Sequence, residues 1–480
     1  MKILFTILEI LDYGGITADL ELKCRGLKEA GHEVKVVILR RAKAPHSIRK
    51  TLIEGGPAGT YPSSFGTYKG RQIMANTEKG WYWLPVLGYD SDEGMANWKR
   101  IANKFDMIFH EIPGPNPDPA GRWLELYDVK PPQIMIAHDA HFREMYPHMI
   151  DVAPKLKGIA CTTPAGYIGL EWMPTYRAFI GAPHPVLDWD SMPRWNQRKP
   201  VGVAAHMWKA WKHQDMVVQA APHLTKSKVI MTGDGIERRY MMSKDKCPKE
   251  FKGVWKRGLD SGNMAYKGLL TPDRLFSIYQ RSRVMVDMSW SDKFNGLGNH
   301  FNRSIIEGYN NGVVPICVGM NMKDDNTQRR LFKGGVTHVE VPHTITPKEL
   351  AEVIDETCHM HRDDAMEMVT RGRKMLMKYF AYSTTATQFI DLGRQKPCGV
   401  YPKLELGKAN LIIAEARDMK LANKPTATIK AMIVKKLRER EERIAKKNGV
   451  KAPPKKKVMR GYNPLTAKKA AAKAKAKAQR

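Results

Sequence analysis

The chain has 480 residues, 42% hydrophobic and 9% aromatic, enough for two ordinary domains with cores of their own. Its formal net charge of +30 points to a polyanionic partner, nucleic acid or an anionic membrane surface. No stretch approaches the roughly 20 consecutive apolar residues that cross a bilayer. The six cysteines include no C-x-x-C pair, which speaks against a zinc site and for reduced thiols in a cytoplasmic compartment.

Residues 2–10 form a near-continuous apolar run, as a parallel strand buried on both faces should. A lysine ahead of it mimics a secretory leader, but Glu9 and Asp12 interrupt the run and no small-residue cleavage site follows, so it reads as a strand. Asp12-Tyr13-Gly14-Gly15 makes a turn, Thr17 can cap a helix to about Ala30, Gly31 stops it, and 33–39 is a second strand. This is a βαβ unit with a right-handed crossover. Further strands are expected at Met107–His110, 134–137 and Gly158–Cys161.

After a proline-rich hinge (Pro183, Pro185, Pro193, Pro200) a second alternating series begins. It predicts strands at 201–205, Lys228–Thr232, 265–267, 284–288 and 313–318, with helices near 215–221, at 275–280 and through Glu307. Two such blocks imply an α/β chain of two doubly wound, Rossmann-like domains facing a cleft, 1–185 and 186–392, the second closed by a helical stretch over 347–390. Residues 393–480 form a basic extension, and the last 51 residues hold 19 Lys or Arg against three Glu. Thr426–Lys447 is helix-like, with Ile429, Met432, Ile433, Leu437 and Ile444 on a loose apolar stripe. The final 30 residues lack the apolar content to order themselves.

Gly14-Gly15 lies between the first strand and its helix. Backbone N–H groups at a helix start, approached closely because glycine lacks a side chain, suit an anionic group; a tight turn alone also accounts for the pair. The pattern is not G-x-G-x-x-G, which disfavours a dinucleotide-dependent dehydrogenase. The strand at 134–137 ends in His138-Asp139, where an imidazole can donate to a hydroxyl and a carboxylate can act as base or orient it. In the second block Gly233-Asp234-Gly235 follows its strand, then come Gly268, Ser289, a helix bearing Glu307, Gly312 and Pro315. Glu307 precedes a turn at the carboxyl edge of the sheet, where a carboxylate can accept two hydrogen bonds from a ribose diol. Lys212, just beyond the first strand of that block, suits a phosphate.

The order of these elements over about 201–318 resembles the nucleotide-binding half of retaining GT-B glycosyltransferases, the large family that includes glycogen and sucrose synthases. The resemblance implies a UDP-sugar donor, UDP-glucose the expected one, with no metal or further cofactor. It places Gly14, Gly15, Lys209, Lys212, Gly233, Ser289, Asn299 and Glu307 on the donor. Met207 stands where the family has an arginine, so His206 or Lys209 must compensate. Asn299 stands where the family has a second glutamate, which bears on the donor sugar. Several segments resemble more specifically the DNA α-glucosyltransferases of T-even bacteriophages, which glucosylate 5-hydroxymethylcytosine in duplex DNA. They are Gly15-Ile16-Thr17, Gly31-His32-Glu33-Val34, His138-Asp139, Trp211-Lys212, Arg303-Ser304 and the run from Glu307 through Gly312 to Pro315. That likeness implies Lys212 on the diphosphate, Glu307 on the ribose, His138 and Asp139 at the reacting centre, and retention of configuration.

The charge argues independently for double-stranded DNA as partner. Lys435, Lys436, Lys455, Lys456, Lys457, Lys468 and Lys469 are expected to contact phosphates without sequence preference. Trp81-Tyr82-Trp83 and Trp208 can stack on bases, although such aromatics more often serve a core. Two competing readings follow. One is a cell-envelope glycosyltransferase whose basic helix docks on anionic lipid; a stripe without Trp or Phe disfavours it, and no stable membrane association is expected. The other is a DNA-binding protein on an inactive glycosyltransferase core, for which Met207 and Asn299 speak.

Overall fold

The computed structural model describes residues 1–7, 15–40, 87–88, 92–111, 122–138, 143, 146–206, 208–243, 247, 251–290, 303–318 and 332–447. They fall into two compact units, Met1–Pro185 with the chain from Lys378 onward, and Val186–Met377. The first unit opens with β1 (Lys2–Ile7), α1 (Gly15–Glu29), β2 (Glu33–Arg40), β3 (Leu87–Gly88), α2 (Asp92–Ala102), β4 (Met107–His110), β5 (Gln133–Ala137), β6 (Gly158–Cys161), α3 (Pro164–Gly169) and β7 (Tyr176–Phe179). The second holds β8 (Lys199–Ala205), α4 (Gln214–Ala220), β9 (Lys228–Thr232), α5 (Ile236–Met242), α6 (Val254–Asp260), β10 (Met264–Tyr266) and α7 (Pro272–Arg281). It continues with β11 (Ser282–Asp287), α8 (Arg303–Asn310), β12 (Val314–Val318), β13 (Val339–Val341), α9 (Pro347–Cys358) and α10 (Arg362–Tyr379). The chain then returns to the first unit through α11 (Tyr382–Gly393), β14 (Glu405–Leu406), α12 (Leu411–Leu421) and α13 (Thr426–Lys447).

The first sheet runs β14-β7-β6-β5-β4-β1-β2-β3, parallel throughout except for the antiparallel β14. The second runs β10-β9-β8-β11-β12-β13, wholly parallel. In each the order reverses beside the first strand, between β1 and β4 and between β8 and β11. Ligands of open parallel sheets bind outside the carboxyl ends of the strands at that reversal. The strands are buried runs of Val, Ile, Met and Phe, as covered parallel strands require.

Local signals set the helices. Thr346 and Glu349 close a reciprocal capping box at the start of α9, with Pro347 in the first turn where its missing N–H costs nothing. In the first unit Ile3, Phe5 and Ile7 pack on Leu20, Cys24 and Leu27 of α1 and on Ala386, Phe389 and Leu392 of α11. A Cβ on Gly26 would lie 2.5 Å from the Tyr382 carbonyl oxygen, so only glycine lets α1 and α11 approach this closely. In the second unit α4, α6 and α9 bury Val217, Val218, Trp255, Leu350 and Ile354 on one face of the sheet. The α10 residues Ala365 and Val369 join Val314 and Trp195 in a separate cluster.

Two boundaries differ from the sequence reading. The stretch 347–390 does not close the second domain as a block, because Phe389 and its neighbours on α11 complete the first core. Residues 405–447 are not an appended extension either. Glu405 and Leu406 pair antiparallel with Arg177 and Tyr176 of β7, and the Glu405 carboxylate accepts from Arg177 at 2.8 Å. A Cβ on Gly407 would meet the Met173 carbonyl at 1.9 Å. Arg417 of α12 reaches Asp151 at 2.8 Å, and Ile413, Ile429 and Ile433 are fully or almost fully buried. Ile444, on the same sequence stripe, is 49% exposed: only the first half of α13 packs. The final 30 residues lie outside the described ones.

Candidate functional site

In the first unit the chemistry gathers at the β1/β4 reversal. Gly15 begins α1, so its backbone stands at a helix N-terminus beside the carboxyl end of β1; Gly14 lies outside the described residues. Asp19 and Lys23 are one turn apart on α1, on the face that buries Leu20, Cys24 and Leu27. Glu111 leaves β4 with its N–H donating to the Thr6 carbonyl at 3.0 Å. Its two oxygens accept from Lys23 Nζ at 2.9 and 2.8 Å, and both side chains are wholly buried. His138 leaves β5 with Nε2 2.9 Å from Glu111 Oε2 and Nδ1 3.8 Å from Asp19 Oδ2.

Burial pushes the Glu111 carboxyl up, but Lys23 and His138 outweigh it and hold the group below its ordinary value. Burial pulls the Lys23 ammonium down against the attraction of Glu111. The two directions compete for one proton. The ionised pairing stands, because both carboxylate oxygens face Nζ at hydrogen-bond distance and a third donor reaches the same carboxylate. On this strand edge His110 is different in kind: it sits between the Thr6 hydroxyl (2.8 Å) and Gln133 (3.0 Å), and burial pushes it down to about 4, so it is neutral. Asp139 lies outside the described residues.

In the second unit a matching cluster lies at the β8/β11 reversal. Lys212 follows β8 and is nearly buried, its Nζ 4.1 Å from the Trp211 ring centroid. Burial pulls its ammonium down to about 8, against the attraction of Asp287. Asp287 ends β11 with no exposed surface. Its carboxylate accepts from the Ser289 N–H at 3.0 Å, from the Ser289 hydroxyl, and from the Ser304 hydroxyl at 3.1 Å. His206 completes the group, Nε2 3.6 Å from Asp287 and Nδ1 3.4 Å from Ser304 Oγ. The His206 ring is set against Asp287, Ser304 and the Val286 carbonyl, inside the protein. Lys209 is exposed. Met207 and Asn299 lie outside the described residues.

Gly233 takes a φ of 92° that other residues rarely adopt, and its N–H donates to the Gly268 carbonyl at 2.9 Å. The turn is locked to the Lys212 loop through Trp208, whose N–H donates to the Asp234 carbonyl at 3.1 Å and whose indole donates to the Thr232 carbonyl at 3.2 Å. Trp208 is 2% exposed and packs edge-on against Trp255, so it serves the core and cannot stack on a base. Trp81-Tyr82-Trp83 lie outside the described residues. Glu307 sits on α8, three residues from Ser304, and accepts from Arg303 Nε at 2.8 Å. Burial pushes its carboxyl above the ordinary value, against Arg303.

The structure therefore brings Lys212 and Ser289 into one neighbourhood and adds Asp287, Ser304 and His206 to it, while Lys23, Glu111 and Asp19 join His138. Sequence reasoning missed Asp287, Lys23 and Glu111; of these, Asp287 interrupts an apolar run. Of the candidate nucleic-acid contacts, Lys436 pairs with Glu415 and Lys435 lies 3.9 Å from Glu439. Lys455, Lys456, Lys457, Lys468 and Lys469 lie outside the described residues. Among the described residues no cluster of His, Cys, Asp or Glu is arranged to hold a metal, the six cysteines form no disulfide, and no helix is long and apolar enough to cross a membrane.

No family model matches the chain, and no curated protein matches it in sequence. Solved structures do match in fold. Anabaena Alr3699/HepE in complex with UDP superposes with a TM-score of 0.56 at 14% identity, over 82% of this chain and 100% of that one. An α-glucosyltransferase in complex with UDP and a 13-mer DNA containing an HMU base gives 0.55 at 13%, over 82% and 99%. The pneumococcal O-GlcNAc transferase GtfA in complex with UDP and GlcNAc gives 0.54 at 10%, over 82% and 99%. These proteins are GT-B glycosyltransferases, and with two parallel Rossmann-like sheets this chain has the GT-B fold.

Proposed function

We propose that the chain is a retaining glycosyltransferase that moves a sugar from a UDP-sugar, UDP-glucose foremost, to a hydroxymethylated pyrimidine in duplex DNA. The observation that carries the donor half is the cluster at the β8/β11 reversal, the edge at which parallel sheets take ligands, which holds Lys212 and Ser289; Glu307 lies three residues along α8 from Ser304 of that cluster. Lys212 neutralises the diphosphate, Glu307 accepts from the ribose diol, and the Gly233 turn lets the nucleotide approach the backbone. Structures of the same fold carry UDP, UDP-glucose and, in one case, DNA with a modified base, which supports the choice of substrates.

In this reading the acceptor hydroxyl attacks C1 of the sugar from the face the diphosphate leaves. The new C–O bond forms as the C1–O bond to UDP breaks, and the hydroxyl proton passes to the departing diphosphate or to the Asp139 carboxylate. Lys212 and helix N-termini stabilise the negative charge on the leaving group without reorganising. His138 and Asp139 position the hydroxyl. The basic net charge supplies affinity for the DNA backbone by counterion release.

The lipid-docking alternative loses ground on one point: Ile429 and Ile433, the core of the α13 stripe, are buried inside the protein and cannot enter a bilayer. The decisive experiment incubates the protein with several UDP-sugars and DNA bearing hydroxymethylcytosine or hydroxymethyluracil, then analyses nucleosides by mass spectrometry, with plain DNA and a lipid acceptor as controls. A hexose adduct on the modified base is expected. Transfer to lipid, or to no DNA base with any donor, overturns the reading.

A further inference from the structure

The helix α13 changes character along its length. Ile429 and Ile433 have no exposed surface and anchor its first half, and Leu437 is partly buried. From Arg438 to Lys447 each described side chain is exposed, so the helix runs on past the core that holds it. At about 100° per residue, Lys436, Arg440, Arg443 and Lys447 all point within about 40° of the direction of Ile429. The face that is apolar where it packs is therefore cationic where it leaves the protein.

Ion pairing sorts the cations by side. Away from this row, Lys435 lies 3.9 Å from Glu439 and Arg438 donates to Glu442 at 2.9 Å. On the row, Lys436 pairs with Glu415 of α12 where the helix leaves the core, and Arg443 uses Nε alone, on the Glu439 carbonyl at 3.3 Å. Arg440 and Lys447 have no ion pair among the described residues. The following chain cannot neutralise them, because residues 448–480 hold no Asp or Glu. The row spans roughly 16 Å, a length over which one strand of a DNA duplex presents about five phosphates. A lipid surface fits less well. A helix lying on lipid turns an apolar face to it, and here cations occupy that face while the exposed Val434 stands about 140° away. Single strands call for aromatic platforms, and α13 has no aromatic residue.

We propose that Lys436, Arg440, Arg443 and Lys447 form a docking edge for the phosphate backbone of duplex DNA, a rigid contact on the folded protein itself. Such an edge positions the duplex without reading its sequence. It also moves the contact off Lys435, whose charge is already matched by Glu439. The inference rests on the reading that makes DNA the acceptor, and it is tested so that the two can fail separately.

The test compares two triple variants of the full-length protein that lose the same charge. Arg440→Gln/Arg443→Gln/Lys447→Gln strips the row, and Lys430→Gln/Lys435→Gln/Lys446→Gln strips the other sides of the same helix. Binding of a short labelled duplex of plain DNA is followed by fluorescence anisotropy over a series of salt concentrations. The row variant should bind more weakly, and its plot of log Kd against log salt should be shallower by about two to three units, near 0.9 per lost phosphate contact. The other triple should change the slope by less than about one unit. Arg440→Gln alone, kept in case the triple does not fold, should lower it by about one. An unchanged slope in the row variant, an equal loss in both triples, or a wild type that binds phosphatidylserine vesicles in preference to the duplex overturns the docking edge. The binding assay needs no turnover. Sugar transfer to hydroxymethylated DNA with an unchanged slope in the row variant would sink the edge and leave the transferase reading intact. A wild type that transfers no sugar, yet whose slope falls when the row is stripped, would sink that reading and leave the edge.

Discussion

At the scale of single residues, Lys212 makes a prediction of definite sign. Its ammonium is pulled down to about 8 by burial, so it is a cation below that pH and loses its proton as pH rises through it. If it holds the diphosphate, UDP affinity is full near pH 7 and declines above pH 8. Loss of a charge-assisted contact is worth about 1.5–3 kcal/mol, or roughly 10- to 150-fold in Kd. Lys212→Arg, which stays charged, should flatten the decline in a calorimetric titration; an equally steep decline in that variant would show that another group titrates. Gly235 is just as specific. A Cβ there would stand 2.1 Å from the Trp208 carbonyl, a backbone atom with nowhere to go. Gly235→Ala should cost about 1–3 kcal/mol of stability, read as a lower urea midpoint, and an unchanged midpoint would mean the Trp208 loop yields freely.

At the scale of elements, α13 separates packing from pattern. Ile429 and Ile433 are 0% exposed and Ile444 is 49% exposed, although all three lie on one apolar stripe of the sequence. Ile429→Ala should therefore destabilise the first unit by about 2–5 kcal/mol, whereas Ile444→Ala should stay within about 0.5 kcal/mol. Equal effects in thermal unfolding would contradict the packing. The same contrast shows what can be read from sequence. The central parallel strands and α13 were legible because a continuous apolar run or a 3.6-residue stripe marks them locally. The two-residue β3 and β14 were not, since nothing local marks a strand that short; β14 exists only because it finds β7 more than 200 residues earlier. The allegiance of α11 was hidden for the same reason, as its partners are Gly26 and the first strand.

The candidate site followed the same rule. Glu307, Lys212 and Ser289, proposed here for the donor, could be named from sequence because they stand at fixed places in an ordered series of turns and strands. Lys23, Glu111 and Asp287 could not, because each is defined by a partner: Lys23 meets Glu111 across 88 residues of chain. The one available signal was a charge within an apolar stretch, Asp287 between Val286 and Met288; Lys23, flanked at two residues by Glu21 and Arg25, carried none. In a buried element such a charge must be paired or coordinated.

At the scale of the whole molecule, charge and fold make separable claims. The described residues reach Lys447, and the helices before it are built into the first unit, so a deletion from residue 393 would remove part of a core. Deleting 448–480 instead takes away cations without touching the described packing. That variant should bind duplex DNA more weakly and with a shallower dependence on salt, by about one unit of slope per lost phosphate contact, while its UDP affinity is unchanged. An unaltered salt slope would take the tail out of DNA binding. The central claim, that a uridine nucleotide is held at the carboxyl edge of the second sheet with Glu307 on its ribose, is tested most directly by calorimetric titration of UDP into the wild type and Glu307→Ala. Saturable binding by the wild type, weakened roughly 10-fold or more in the variant, is the expected result. No binding to the wild type, or equal binding to both, would contradict it.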